Sequence, residues 1–167
     1  MVTQTPAAPP FDLTEYRKAL GGFATGVCVV TTQSDDGGIG ITVNSFTSVS
    51  LDPPLVLWCL DDSSDRHDVF AAAERFAIHV LPVEDREMSD RFAWGTCRLS
   101  PEEFDISNPE PPRLRNALVR LDCTAHDRIR VGDHLVIIGA VRAVESRDGD
   151  ALTYFRGRYG VASESLA

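Results

Sequence analysis

A small, mainly β barrel with Greek-key character is the fold class this sequence predicts, and three observations predict it. Apolar runs of strand length, rich in β-branched residues, recur along the chain: GVCVVTT (26–32), PLVLWCL (54–60), FAIHVL (76–81) and HLVIIGAV (134–141). Turn clusters punctuate them, with hairpin signals in SDDGG (34–38) and DGDAL (148–152). Helical patterns are too few and too irregularly placed for βαβ repeats, and neither G-x-G-x-x-G nor a P-loop occurs.

The elements follow in order. Residues 1–10 are rich in Pro, Ala and Thr and read as a disordered tail. FDLTEYRKALGGF opens a short helix, with Asp12 as cap, Glu15 as capping-box partner and Gly21-Gly22 as stop. GVCVVTTQ and GIGITVNSF form a hairpin, LDPP breaks the pattern, and LVLWCL is the third strand. SSDRHDVFAAAERF reads as a helix capped by Ser63 or Ser64, with Val69, Phe70 and Ala73 on its apolar face. FAIHVL is a strand, and PVEDREMSDRFA a short helix with Pro82 at its start and acids in its first turn. Residues 94–116 carry four prolines and read as loop.

NALVRLDCTAHDRIRV alternates. Val119, Leu121, Cys123 and Ala125 lie on one face, and Arg120, Asp122, Thr124 and His126 on the other, the pattern of an antiparallel strand with one buried side. HLVIIGAVRAVES is apolar nearly throughout, which predicts cover on both faces. TYFRGRYG ends the domain, taken as 11–160, and 161–167 is a C-terminal tail.

Composition limits the function. The 167 residues carry a net charge of −9, which disfavours a nucleic-acid partner. No apolar run approaches a membrane span, and the N-terminus lacks a basic start and apolar core, so a cytoplasmic location is expected. Lys18 is the only lysine, so any bound anion would be held by Arg or by backbone N–H groups. Cysteines 28, 59, 97 and 123 form no C-x-x-C pair, which argues against a metal site; Cys28, Cys59 and Cys123 read as buried hydrophobes. There is no G-x-S-x-G elbow and no H-E-x-x-H, and His67, His79, His126 and His134 are scattered singly. Asp61-Asp62 and Glu102-Glu103 read as solvated acids. Any hard chemistry therefore falls to a bound cofactor.

The run TVNSFTSVS (42–50) supports that idea, being rich in small uncharged hydroxyls between apolar strands. Such groups suit the polar edge of a planar ligand such as a flavin ring. They equally suit the capping and bridging of strand ends. Ser63-Ser64-Asp65-Arg66 before a helix suits a phosphate, and equally an ordinary cap with a solvated Arg66. Arg91 in SDRFA is a second candidate for the same region.

FATGVCVVTT (23–32), TVNSFTSVSLDPPLVLWCLDDSS (42–64), Gly132-Asp133-His134 and YFRGRYG (154–160) together resemble the flavin reductase family, from about Phe11 to Gly160. The resemblance implies an FMN-binding split β-barrel, a homodimer, NADH or NADPH as electron donor and FMN or FAD as acceptor. It also implies a flavin-dependent monooxygenase that receives reduced flavin by diffusion. Thr31, Thr32, Asn44, Ser45, Phe46 and Thr47 would flank the flavin ring, and Ser48 through Pro53 would shape its far edge. Ser63, Ser64 and Arg66 would meet its phosphate, and His134 would face the nicotinamide. Phe155, Arg156 and Tyr159 would close the pocket. Two positions depart from the family pattern: Asp62 stands where a basic residue is usual and Arg66 where a hydroxyl is usual, which leaves FMN against FAD open. Trp58 replaces a small aliphatic residue.

Overall fold

The computed structural model describes residues 9–106 and 111–163; most of the tail read over 1–10, and the last four residues of the tail read over 161–167, lie outside the described residues. Helix α1 (Leu13–Leu20) starts where expected, Asp12 accepting from the Thr14 N–H at 2.7 Å. Strands β1 (Thr25–Gly26), β2 (Cys28–Ser34) and β3 (Gly37–Val43) follow, then β4 (Thr47–Leu51) and β5 (Pro54–Asp61). Next come α2 (His67–Ala72), β6 (Arg75–Val80), a 3-10 turn at Val83–Asp85 and α3 (Arg86–Trp94). The chain closes with β7 (Phe104–Asp105), β8 (Arg113–Leu114), β9 (Val119–Val131), β10 (His134–Ser146), β11 (Ala151–Phe155) and β12 (Arg158–Ala162).

The main sheet has seven antiparallel strands in the order β3-β2-β6-β9-β10-β5-β4, and a smaller sheet runs β1-β11-β12. This is the split β-barrel expected. The two sheets meet at Val27: its N–H donates to Leu152 O at 3.1 Å and its carbonyl accepts from Leu81 N at 3.0 Å. One core fills the main barrel around Trp58, which is wholly buried and meets Phe70 and Phe76 edge-on at 5.5 and 6.0 Å. Trp58 thus occupies core volume, and Gly139 helps make room, since a Cβ there would fall 2.6 Å from the Phe76 ring. A second core joins Phe92 of α3 to Val27, Leu81, Phe104 and Leu152.

Several expectations change. The returning strand read over GIGITVNSF ends at Val43. The chain bends at Asn44–Phe46 and continues as β4, an edge strand paired, among the described residues, only with β5. The DGDAL hairpin signal joins strands that do not pair; the hairpin is β11–β12, turning on Arg156 and Gly157 at φ 48° and 75°. An R-G pair supplies that double left-handed turn, with glycine at the second position. Strand β12 runs past Gly160 to Ala162. Strand β10 alternates between buried Leu135, Ile137 and Gly139 and half-buried Val136 and Ile138, so in the single chain only one face is fully covered. The polar face of β9 is not solvated along its length. Asp122 is buried between Arg113 at 3.0 Å and Arg120 at 3.2 Å. Paired charges can occupy positions that alternation alone assigns to water.

Candidate functional site

Helix α1 buries none of its residues, and its last turn faces the bend at 44–46 across open space. The result is a cleft of about 910 Å³ between Arg17, Leu20 and Phe23 on one side and Asn44, Ser45, Phe46 and Thr47 on the other. Thr25 and Gly26 of β1 and Tyr154 of β11 complete its lining. A narrower crevice of about 200 Å³ adjoins it, sharing Asn44 and Tyr154 and reaching Trp94 and Tyr159.

The cleft suits a flat, polar-edged ligand. Asn44 is exposed, and its amide makes no hydrogen bond among the described residues. The Thr25 hydroxyl is out of solvent and lacks a hydrogen-bond partner among the described residues. A Cβ built on Gly26 would meet no atom within 4 Å, so a ring can lie close to the backbone there. Phe23 is 76% exposed and Leu20 55%, apolar surface that a ligand or a second chain would cover.

The hydroxyls of 42–50 divide between structure and site. Thr42 donates to Ser89 O at 2.8 Å, and Ser45 Oγ accepts from Cys59 N at 2.9 Å, tying the bend to β5. Thr47 and Ser48 are exposed. Thr31 and Thr32 do not flank the cleft. Both are buried, donating to Pro112 O at 2.6 Å and Arg75 O at 2.8 Å. Pro53 lies at the tip of the β4–β5 hairpin, the far end of β4 from the bend.

The expected phosphate group is dismantled by its own contacts. Neither Ser63 nor Ser64 caps α2, whose N-cap position is Arg66. Ser63 donates through N and Oγ to Asp61 Oδ1, both at 2.7 Å, and Ser64 Oγ accepts from Arg66 N at 3.2 Å. Arg66 is 7% exposed; its guanidinium turns inward to the Phe92 carbonyl and to Gly95 O at 2.9 Å, clamping the end of α3. Arg91 pairs with Glu103 at 2.6 Å. Asp62, read as a solvated acid, pairs with Arg130.

His134 opens β10 opposite Asp61. Its Nδ1 meets Asp133 Oδ1 at 2.7 Å, and that bond first of all holds the Asp133 carboxyl below its usual range. His134 does not line the cleft: along β5, Asp61 lies roughly 13 Å beyond Leu57, the partner of Thr47. Tyr159 donates to Asp90 Oδ1 at 2.7 Å, and burial above all pushes its phenol up. Phe155 and Arg156 sit at the β11–β12 turn, the Arg156 N–H donating to Gly21 O at 2.8 Å. His79 is a satisfied core histidine: Nδ1 faces Val29 O, Nε2 accepts from Leu114 N, both at 3.1 Å, and burial lowers it to about 4. Cys59, read as buried, is half-exposed, whereas burial pushes Cys28 and Cys123 up to about 12.

Sequence reasoning missed Arg17, Leu20, Phe23, Thr25 and Tyr154. The available signal was α1 itself, whose apolar residues have no buried partner surface.

A family model described as "Flavin reductase like domain" matches residues 20–163. The chain is 45% identical to the FMN reductase (NADH) SmoA of Agrobacterium fabrum over 148 residues, 87% of this chain and 83% of that protein. It is 39% identical to the reductase component of a flavin-dependent trigonelline monooxygenase of Acinetobacter baylyi, spanning 90% of this chain but only 49% of that one. Among solved structures, the NADH:FAD oxidoreductase SgcE6 of Streptomyces globisporus C-1027, in complex with NAD and FAD fragments, superposes with a TM-score of 0.86 at 28% identity, covering 98% and 100% of the two chains. The styrene monooxygenase flavin reductase of Pseudomonas putida S12 superposes with a TM-score of 0.80 at 32% identity, covering 90% and 99%. With the split barrel, these matches establish that the chain belongs to the flavin reductase family.

Proposed function

We propose that the protein transfers hydride from NADH or NADPH to FMN or FAD and releases the reduced flavin to a partner monooxygenase. One observation carries this reading: the cleft between α1 and the 44–47 bend, with its unpartnered Thr25 hydroxyl and Asn44 amide. The chemistry a bound flavin supplies is hydride acceptance at its tricyclic ring. The chain's own work is positional. Asn44 and the backbone of 44–47 would hold the ring's polar edge, Thr25 would offer a hydroxyl, and Leu20 and Phe23 would exclude water. Hydrogen-bond donors set along this bend favour the negative charge that reduction builds up.

A second copy of the chain would cover the remaining apolar surface. Leu13, Tyr16 and Leu20 of α1 are 60%, 47% and 55% exposed, and Leu57, Val136 and Ile138 on the outer sheet face are half-buried. Sedimentation of the purified chain is expected at the mass of a dimer; a monomer at micromolar concentration would count against this.

The test is to mix the purified protein with NADH and excess FMN and follow the nicotinamide absorbance. Loss that saturates in free flavin is expected. A protein that binds flavin yet never oxidises NADH or NADPH would overturn the proposal.

A further inference from the structure

The protein carries sixteen basic residues against twenty-five acidic ones. Most of the cations are neutralised locally. Arg66, Arg86, Arg91, Arg98, Arg113, Arg120 and Arg130 have carboxylate partners, and Arg115, Arg128 and Arg147 donate to carbonyls. Among the described residues, the charged groups of Arg17, Lys18, Arg156 and Arg158 make no hydrogen bond or ion pair.

These four are not scattered. Arg17 and Lys18 occupy the last turn of α1. Arg156 and Arg158 sit on the β11–β12 turn, which is joined to the end of α1 by the bond from Arg156 N to Gly21 O. All four side chains are exposed. The helix dipole accounts for Arg17 and Lys18 at a C-terminus, but not for the two arginines brought there by a separate hairpin. Arg17 itself lines the cleft, beside Leu20 and opposite Asn44. The segment that looked like the phosphate site is the reverse case: Asp61, Asp62, Asp65, Asp68 and Asp133 surround or flank Ser63 and Ser64, and Arg66 faces inward.

We propose that Arg17 holds the phosphate of the nucleotide that occupies the cleft, with Arg156 on the hairpin turn whose backbone is bonded to the end of the same helix. The proposal rests on the flavin reductase reading and adds to it the anchor of the charged end. Two nucleotides could present that group: the flavin, through its 5′-phosphate or pyrophosphate, and the nicotinamide donor, through its pyrophosphate.

The experiment uses the full chain with Arg17→Gln and Arg17→Glu, both at an exposed position compatible with folding. Arg98→Gln, whose ion pair lies with Asp36, serves as a control of equal charge change. Quenching of flavin emission gives the affinities for riboflavin and FMN. NADH turnover with riboflavin as acceptor gives the donor's KM free of any flavin phosphate. Arg17→Gln is expected to weaken FMN about tenfold while riboflavin and the control stay unchanged, the scale of one solvated charge-assisted contact. A tenfold rise in the NADH KM with the FMN-to-riboflavin ratio intact would assign the same site to the donor's pyrophosphate. Unchanged FMN affinity and unchanged NADH KM in Arg17→Glu would overturn the proposal. If neither flavin is quenched by the unsubstituted protein, the underlying reading fails instead.

Discussion

Arg66 and Arg17 look interchangeable on charge, and the fold treats them in opposite ways. Arg66 is buried and holds together the last turn of α3 through the carbonyls of Phe92 and Gly95. Arg17 is exposed at the rim of the cleft with no partner among the described residues. A cation buried on carbonyls is a structural tie whose removal strands polar groups. A cation left open beside a cavity is available to an anion from solution. Proximity of an arginine to a serine-rich turn is therefore a poor guide to anion binding; what matters is which acceptors the folded chain has already brought to it.

The largest expected effect should break this comparison if it is wrong. Arg66→Ala removes two charge-assisted bonds and leaves the buried Phe92 carbonyl unpaired, a loss of about 3 kcal/mol read by denaturant melts. Flavin affinity of the molecules that remain folded should be unchanged. A stable Arg66→Ala protein that has lost FMN specifically would return Arg66 to the binding site.

Acid should separate the regions next. His79 is neutral in the fold, lowered from 6.5 to about 4, chiefly by burial, with Arg120 and Arg113 adding to it. Between those values the unfolded chain binds the additional proton, so stability is full above pH 6.5 and falls as pH drops toward 4. The loss should approach roughly 3 kcal/mol, and His79→Gln should flatten that slope. Arginine does not titrate in this range, so the Arg17 rim contributes nothing to it. A slope that persists in His79→Gln would mean that another group governs acid stability.

A finer comparison lies within the bend. Ser45→Ala removes the bond to Cys59 N and should cost about 1 kcal/mol of stability. Asn44→Leu, at an exposed amide with no partner among the described residues, should leave stability unchanged and weaken flavin several-fold. Equal effects of the two on melting would contradict the division of this run into structural and binding positions.

The sequence made the architecture legible because most strands announce themselves by β-branched apolar runs and their turns by Gly and Asp. It concealed β4, whose polar residues TSVS pair along one side only and need no apolar face. It misplaced the second hairpin, since DGDAL and R-G are both valid turn chemistry and only tertiary pairing chooses between them. In the cleft, Asn44 through Thr47 were readable from motif. Thr31 and Thr32 were assigned to the flavin, yet their hydroxyls reach Pro112 and Arg75, contacts 81 and 43 residues distant that no local pattern encodes. Arg17 was invisible for the converse reason: an exposed arginine on an amphipathic helix is ordinary until the fold sets it against a cavity.

Gly26 offers the most direct test that the cleft itself receives the flavin. It borders the open space, and a side chain there would meet no atom within 4 Å. Gly26→Leu should therefore melt like the parent protein while quenching of FMN emission is abolished, because the leucine occupies the ring's place. A folded Gly26→Leu protein that binds FMN with parental affinity would contradict the account.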